Sequence, residues 1–284
     1  MSADVTFRNG DKVPALGMGT WNMGDSAARR AEEVASLRAG IELGLRVIDT
    51  AEMYGNGRSE SLVGEAIAGL RDRIFLVTKV LPSNASRKGV ARACRDSLRR
   101  LGTDHIDLYL LHWRGSVPLS ETVEAFETLR DEGLIGRWGV SNFDVSDMTE
   151  LERAAGGDQC VANQILYSLE HRGVEFDLLD RDRENQVVTM AYSPIGQGGD
   201  LLRHEALATV AKRHKTSSGD ATPAQIALAW VLRRPGVIAI PKASSGAHLR
   251  QNAAAVEIRL SDDDLAVLDK AFPPPSRRVP LEMI

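Results

Sequence analysis

Eight short apolar runs, each followed by a stretch with helical periodicity, organise this chain of 284 residues. They fall at 15–19, 46–49, 73–79, 106–111, 136–140, 159–164, 187–192 and 237–240. Strands separated by helices cannot pair as hairpins. They need crossover connections, and crossovers make parallel sheets whose buried strands read as continuous apolar runs. Eight such units favour a closed cylinder over an open doubly wound sheet. The expected fold class is therefore α/β, a (β/α)8 TIM barrel. An apolar fraction of 43% is ample for one core, so 1–284 is expected to be a single domain.

The intervening segments carry their own punctuation. Asn9-Gly10 between Val5-Thr6-Phe7-Arg8 and Asp11-Lys12-Val13-Pro14 predicts a hairpin ahead of the first barrel strand. Helices are expected over 26–43, 59–70, 86–101, 120–131, 146–155, 174–184, 223–233, 247–255 and 262–271, with an extra one over 202–214 after the seventh strand. Ser26, Ser59 or Ser61, and Ser120 are candidate caps; Gly102 is a stop signal, and Thr222 before Pro223 a start signal. Ser261 followed by Asp264 resembles a capping box. Phe272-Pro273-Pro274-Pro275 opens a tail that cannot be helical.

Charge and cysteine content narrow the function. A formal net charge of −4 does not suit a nucleic-acid or anionic-membrane partner. The basic clusters Arg95, Arg99, Arg100 and Arg277-Arg278 read as a solvated helix face and a tail. Cys94 and Cys160 form no Cys-x-x-Cys pair and read as quiet core residues. The histidines show no metal-ligand spacing, so no metal is expected. Neither a signal peptide nor a membrane-length apolar run is visible, and a cytoplasmic, soluble monomer is the expectation.

Three successive runs end in residues that packing does not require. Asp49 closes the second, Lys79 the third, and His112 follows the fourth; Tyr54 lies just past Asp49. Each has a structural explanation when taken alone: a loop cap, an exposed lysine, a packed aromatic, a satisfied histidine. Together, at adjacent strand ends, they meet on the face where barrels carry chemistry. A nearby ammonium favours a phenolate, so Lys79 is expected to lower the pKa of Tyr54. Asp49 would keep Lys79 charged and in place. His112 could donate to a carbonyl oxygen and orient it. Such a set protonates an oxygen on which negative charge develops, which is half of a carbonyl reduction. The other half, a hydride, has no side-chain source and implies a nicotinamide cofactor.

Six motifs now fall in one order: Gly19-Thr20-Trp21, Asp49-Thr50-Ala51-Glu52-Met53-Tyr54-Gly55, Val77-Thr78-Lys79, Leu111-His112-Trp113, Gly139-Val140-Ser141-Asn142-Phe143 and Ile240-Pro241-Lys242. In these the chain resembles the aldo-keto reductases. The resemblance implies an eight-fold barrel, NADPH and the reduction of aldehydes and ketones. It also implies the tetrad Asp49, Tyr54, Lys79 and His112, with Tyr54 as general acid.

No Rossmann fingerprint follows a strand, so a dinucleotide must lie across barrel loops. The resemblance implies cofactor contacts from Gly19, Thr20, Trp21 and Asp49, and assigns Ser141, Asn142 and Gln164 to the nicotinamide amide. Ordinary loop capping is the alternative for Ser141 and Asn142. The Tyr192 ring could stack on the nicotinamide, as its family counterpart does. Ser193, Pro194, Ile195 and Gly196 could meet the pyrophosphate, with Pro194 keeping Ser193 extended. Ile240, Pro241, Lys242, Ala243, Ser244 and Ser245 lead to a helix N-terminus, a natural phosphate site. Lys242 and the two hydroxyls would contact the 2′-phosphate; Gln251 and Asn252 could meet the adenine. His248 stands where many NADPH-preferring members carry Arg, which leaves NADH possible.

Trp21, Met53, Tyr54, His112, Trp113 and the tail after Phe272 are expected to wall a pocket for a small carbonyl compound. Two other classes remain open on the residues alone. A regulatory subunit that binds NADPH with low turnover would share this site. A barrel hydrolase using Asp49 and His112 would leave Lys79 unexplained.

Overall fold

The computed structural model describes residues 4–243 and 245–284. The chain opens on an antiparallel hairpin, β1 (Asp4–Thr6) and β2 (Lys12–Pro14), as the Asn9-Gly10 signal predicts. Strands β3 (Met18–Gly19), β4 (Val47–Asp49), β5 (Phe75–Val80), β6 (Ile106–Leu111), β7 (Ile135–Ser141), β8 (Ala162–Leu166) and β9 (Val188–Tyr192) then pair in parallel and in sequence order. The two-stranded hairpin of β10 (Lys215–Thr216) and β11 (Gly219–Asp220) lies outside the main sheet. Strand β12 (Val237–Ala239) pairs with β9. A parallel bridge between Leu16 and Ala239 closes the ring, with Gly17 N–H donating to the Ala239 carbonyl at 2.9 Å and Ala239 N–H to that of Ala15 at 2.8 Å. The result is the eight-stranded (β/α)8 barrel that the alternation demands.

The outer layer consists of α1 (Arg30–Glu42), α2 (Arg58–Ile67), α3 (Arg87–Leu101), α4 (Leu119–Asp131), α5 (Val145–Arg153), α6 (Leu178–Glu184), α7 (Glu205–Ala211), α8 (Pro223–Leu232), α9 (Gly246–Ala254) and α10 (Asp262–Ala271). Where the sequence carries complete end signals, the ends fall as expected. Ser86 accepts from Gly89 N at 3.2 Å to start α3, and Gly102, at φ 63°, ends it. Thr222 and Gln225 form a reciprocal capping box on α8, and Ser261 and Asp264 another on α10.

Lone serines are poorer signals. Ser26 makes no capping bond, because a 3-10 turn at Ala27–Arg29 precedes α1. Pro118, not Ser120, precedes α4. Helix α2 starts after Gly57 in the left-handed region, since the Ser59 hydroxyl is drawn inward to Thr20 and Ser61 is already inside the helix. The extra helix is shorter than expected, with a 3-10 turn at Asp200–Arg203 and the β10–β11 hairpin occupying its flanks.

Two apolar clusters result from the alternation of side chains along each strand. One fills the space between the sheet and the helices. The other fills the barrel, with Val47, Val77, Leu108, Leu110, Met190 and Ile238, and it includes Val5, Phe7 and Val13 of the hairpin. Phe7 stacks on Phe75, at the N-terminal end of β5, with ring centroids 5.5 Å apart. The hairpin therefore plugs the N-terminal end of the cylinder and leaves the C-terminal end for a site. Cys94 and Cys160 are buried, and burial pushes both thiols up to about 12, consistent with quiet core roles. No described helix is long and apolar enough to cross a membrane.

Candidate active site

Strands β4, β5 and β6 are consecutive in the sheet, so Asp49, Lys79 and the residue after β6, His112, meet at one end of the barrel. Lys79 Nζ donates to both carboxylate oxygens of Asp49 at 2.8 Å, to the Thr50 carbonyl at 2.8 Å, and to Tyr54 Oη at 3.3 Å. The lysine is fully buried and Asp49 nearly so. An unpaired charge there would cost several kcal/mol, so the pair and its extra hydrogen bonds are a condition for the ammonium to exist. Burial is the largest single influence on the Lys79 pKa and lowers it, but the charges and hydrogen bonds of Asp49 and Tyr54 together outweigh it, and the net shift is upward. Lys79 is thus held as a cation.

Tyr54 differs from the sequence-based expectation. Lys79 does pull its pKa down, but burial is the largest influence and pushes it up, helped by Asp49, so the net shift is upward. The phenol is a firmly protonated donor beside a cation, rather than a partly ionised one. His112 stands edge-on to it, with centroids 5.8 Å apart. Burial, with a smaller contribution from Lys79, pushes the imidazole down to about 3. His112 is therefore neutral near pH 7. Its buried Nδ1 has no hydrogen-bond partner among the described residues. An N–H there would be an unsatisfied donor, so the proton belongs on Nε2.

A cleft of about 970 Å³ runs from this group across the C-terminal rim. Gly19, Thr20, Trp21, Asp49, Met53, Tyr54, His112, Trp113, Ser141, Asn142, Gln164, Tyr192, Ser193, Pro194, Ile195, Ile240, Pro241, Lys242, Ala243, His248, Gln251 and Asn252 line it. Lys79 lies beneath the floor, and Gly196 and Ser245 lie outside the lining. Ser245 instead caps α9, accepting from His248 N at 3.3 Å. Ser244 lies outside the described residues. The lining also includes residues that the sequence did not assign to the site, among them Asn22, Gln197, Leu202 and Thr222. Thr222 carries a usable signal, since a helix that follows a barrel strand starts at this rim. Met283 and Ile284 line the cleft as well, as expected of the tail after Phe272, although an aperiodic tail does not say which of its residues arrive there.

The rim groups hold one another. Gln164 Nε2 donates to Asp49 Oδ1 at 2.7 Å, and Ser141 Oγ donates to the Gln164 carbonyl at 2.9 Å. Asn142, at φ 58°, donates to the His112 carbonyl at 3.2 Å and accepts from Tyr192 Oη at 2.9 Å. Ser193 departs from the extended conformation that Pro194 would favour; its φ is 48°, where the chain turns sharply out of β9. At Gly19 a side chain has no room, since a Cβ would stand 2.8 Å from the Ile240 carbonyl. Backbone from the first and last barrel strands thus converges on the cleft.

A profile of the Aldo/keto reductase family matches residues 15–272. The chain is 51% identical over 284 residues to methylglyoxal reductase YeaE of Escherichia coli strain K12, covering 99% of this chain and 98% of that protein. It is 31% identical to a 9,11-endoperoxide prostaglandin H2 reductase of Trypanosoma cruzi, over 94% of this chain and 90% of that one. The crystal structure of an aldo/keto reductase from Klebsiella pneumoniae in complex with NADP and acetate superimposes with a TM-score of 0.95 at 52% identity, covering both chains completely. The barrel, its cleft and the extent of these matches lead to one conclusion: the chain belongs to the aldo/keto reductase family.

Proposed function

We propose that this protein reduces aldehydes and ketones to alcohols with NADPH, and that small 2-oxoaldehydes of the methylglyoxal type are among its substrates. The observation that carries the reading is the contact of Lys79 Nζ with both Asp49 and Tyr54 Oη at the floor of the cleft. The residues fit a nicotinamide dinucleotide. Among the lining, amide and hydroxyl groups of Ser141, Asn142 and Gln164 adjoin the tetrad, and the aromatic ring of Tyr192 stands beside them. At the far end the cleft reaches α9, whose first amides form an anion site. Lys242 and His248 line that end, and the Arg250 guanidinium lies over Gly246, 3.5 Å from where a Cβ would be. The positive charges of Lys242 and Arg250 support a preference for the phosphorylated cofactor over NADH. The chemistry such a dinucleotide supplies is the hydride.

The chain's own groups do the rest. His112 Nε2–H orients the carbonyl oxygen, and Tyr54 Oη delivers a proton to it as charge develops. The ammonium of Lys79 stabilises the phenolate that remains, and Asp49 fixes the ammonium. Trp21, Met53, Trp113 and Met283 give the substrate apolar walls. All four groups of the tetrad come from one chain, so a monomer suffices. Both cysteines are free, which suits a reducing compartment such as the cytoplasm.

The test is oxidation of NADPH, and separately of NADH, with methylglyoxal, an aromatic aldehyde and a ketone. Removing the proton donor in Tyr54→Phe should cut kcat by about a thousandfold, in the middle of the range of general-acid contributions, while NADPH affinity stays within a few-fold. Undiminished reduction by that variant would exclude Tyr54 as the donor.

A further inference from the structure

The segment that carries Tyr54 is short and conformationally unusual. Between Tyr54 and α2, Gly55, Asn56 and Gly57 have φ of 56°, 53° and 85°, three consecutive residues in the left-handed region. Such a run is held by its surroundings rather than by its own preference. Directly after it comes Glu60, on the first turn of α2, with its side chain fully buried. One oxygen of Glu60 accepts from Thr78 Oγ1 at 2.6 Å, and the other from Arg100 Nε at 2.6 Å. Thr78 is the residue before Lys79 on β5, with its side chain on the opposite, helix-facing side of the strand. Arg100 comes from α3, and its side chain lies against Gly57, where a Cβ would stand 2.5 Å from its Cδ. Arg100 thus leaves the solvated face on which Arg95 and Arg99 sit.

We propose that the Glu60–Arg100 pair is a positioning device for the proton donor: it locks the Tyr54–Gly57 segment against β5 and so fixes the Tyr54 hydroxyl relative to the Lys79 amine. Several features favour this over simple stabilisation. Apolar residues of similar volume would hold α2 to α3 at least as well. An acid with both oxygens engaged, one by the strand of Lys79 and one by a side chain seated on the Tyr54 loop, adds direction. The other flank is pinned separately, as Ser59 Oγ donates to Thr20 Oγ1 at 2.8 Å and lies 3.1 Å from Thr50 Oγ1. Between these anchors the segment has little freedom to move the phenol.

The inference rests on the assignment of Tyr54 as the acid, and its test separates the two. Arg100→Met keeps the aliphatic packing on Gly57 and removes the fork; Glu60→Gln keeps an acceptor for Thr78 and removes the charge. In either variant kcat should fall on the order of 10- to 100-fold, as for a displacement of about 1 Å at a reacting group, with the KM for NADPH within twofold. Arg100→Lys, a point charge without the fork, should recover part of the loss. Arg95→Met, also on α3, removes an exposed pair with Glu132 at the end of α4 and should leave kcat unchanged. A kcat within twofold of the parent in a folded Arg100→Met or Glu60→Gln enzyme overturns the proposal. Should Arg100→Met fail to fold, Glu60→Gln decides by the same measure. If the parent enzyme reduces no carbonyl, the functional reading fails. Crystal structures of the parent and the variant then decide the positioning claim: a Tyr54 Oη moved beyond about 3.5 Å from Lys79 Nζ supports it, and an unmoved one ends it.

Discussion

At the scale of single residues, the site joins charges that are expensive with ones that have been suppressed. Lys79 stays charged because Asp49 meets it at 2.8 Å. His112 stays neutral because it sits in the same buried space with no anion of its own, pushed down to about 3. This has a consequence for stability. In the unfolded chain the imidazole takes up a proton near 6.5, whereas in the folded protein it refuses one until about 3. Between those values the unfolded state binds more protons. The contribution of His112 to stability is therefore complete above about pH 6.5 and declines as pH falls, by at most about 1.4 kcal/mol per unit. His112→Gln should flatten that decline. Urea midpoints measured at pH 7, 6 and 5 for parent and variant check it, and equal slopes would show that His112 is not the group responsible. The tetrad was legible in the sequence because each member ends or follows an apolar run, a position with a fixed geometric meaning. The direction of the Tyr54 shift was not. It depends on the balance between burial and a neighbouring cation, and the sequence gives no measure of burial depth.

At the scale of elements, the ends that read correctly are those where two signals agree. Thr222 with Pro223 and Ser261 with Asp264 each supply a pair at one end, and in α3 the start at Ser86 is matched by the stop at Gly102. A serine alone names a possible cap and nothing more, and Ser26, Ser59 and Ser120 show how tertiary demands use the hydroxyl elsewhere or bypass it. The contrast predicts unequal costs for equal substitutions. Thr222→Ala should lower stability by about 1 kcal/mol, and Ser120→Ala should change it by less than about 0.5 kcal/mol. Thermal melts of the two variants compare them directly, and similar losses would contradict the assignment of the caps. The β10–β11 hairpin was missed for a related reason. The expected helix over 202–214 covers residues that form a short α7 and the approach to a hairpin that turns at Ser217 and Ser218. Four paired residues are too few to show a period.

At the scale of the whole molecule, the two ends of the barrel do different work. The N-terminal end is filled by the hairpin, with Phe7 and Val13 joining the interior cluster, and the cleft occupies the other end. Fold class was legible from the eight-fold alternation alone. The outline of the cleft was legible residue by residue where it is made of strand ends, and only in general terms for the tail after Phe272. Gln197, Leu202, Met283 and Ile284 come from loops and the tail, whose path is set by packing against distant segments.

The ring of strands is also uneven. β5 and β6 share a register of four paired positions, whereas the first strand meets the last through one bridge, at Leu16 and Ala239. That junction is the natural line along which the cylinder breathes, and both of its margins lead into the cleft: Gly19 and Thr20 on one side, Ile240 and Pro241 on the other. A ligand that spans the two margins acts as a staple across the weakest seam. Amide hydrogen exchange at Gly17 and Ala239 should accordingly be faster than at Val77 or Leu110 in the free protein, and should slow most on adding NADPH.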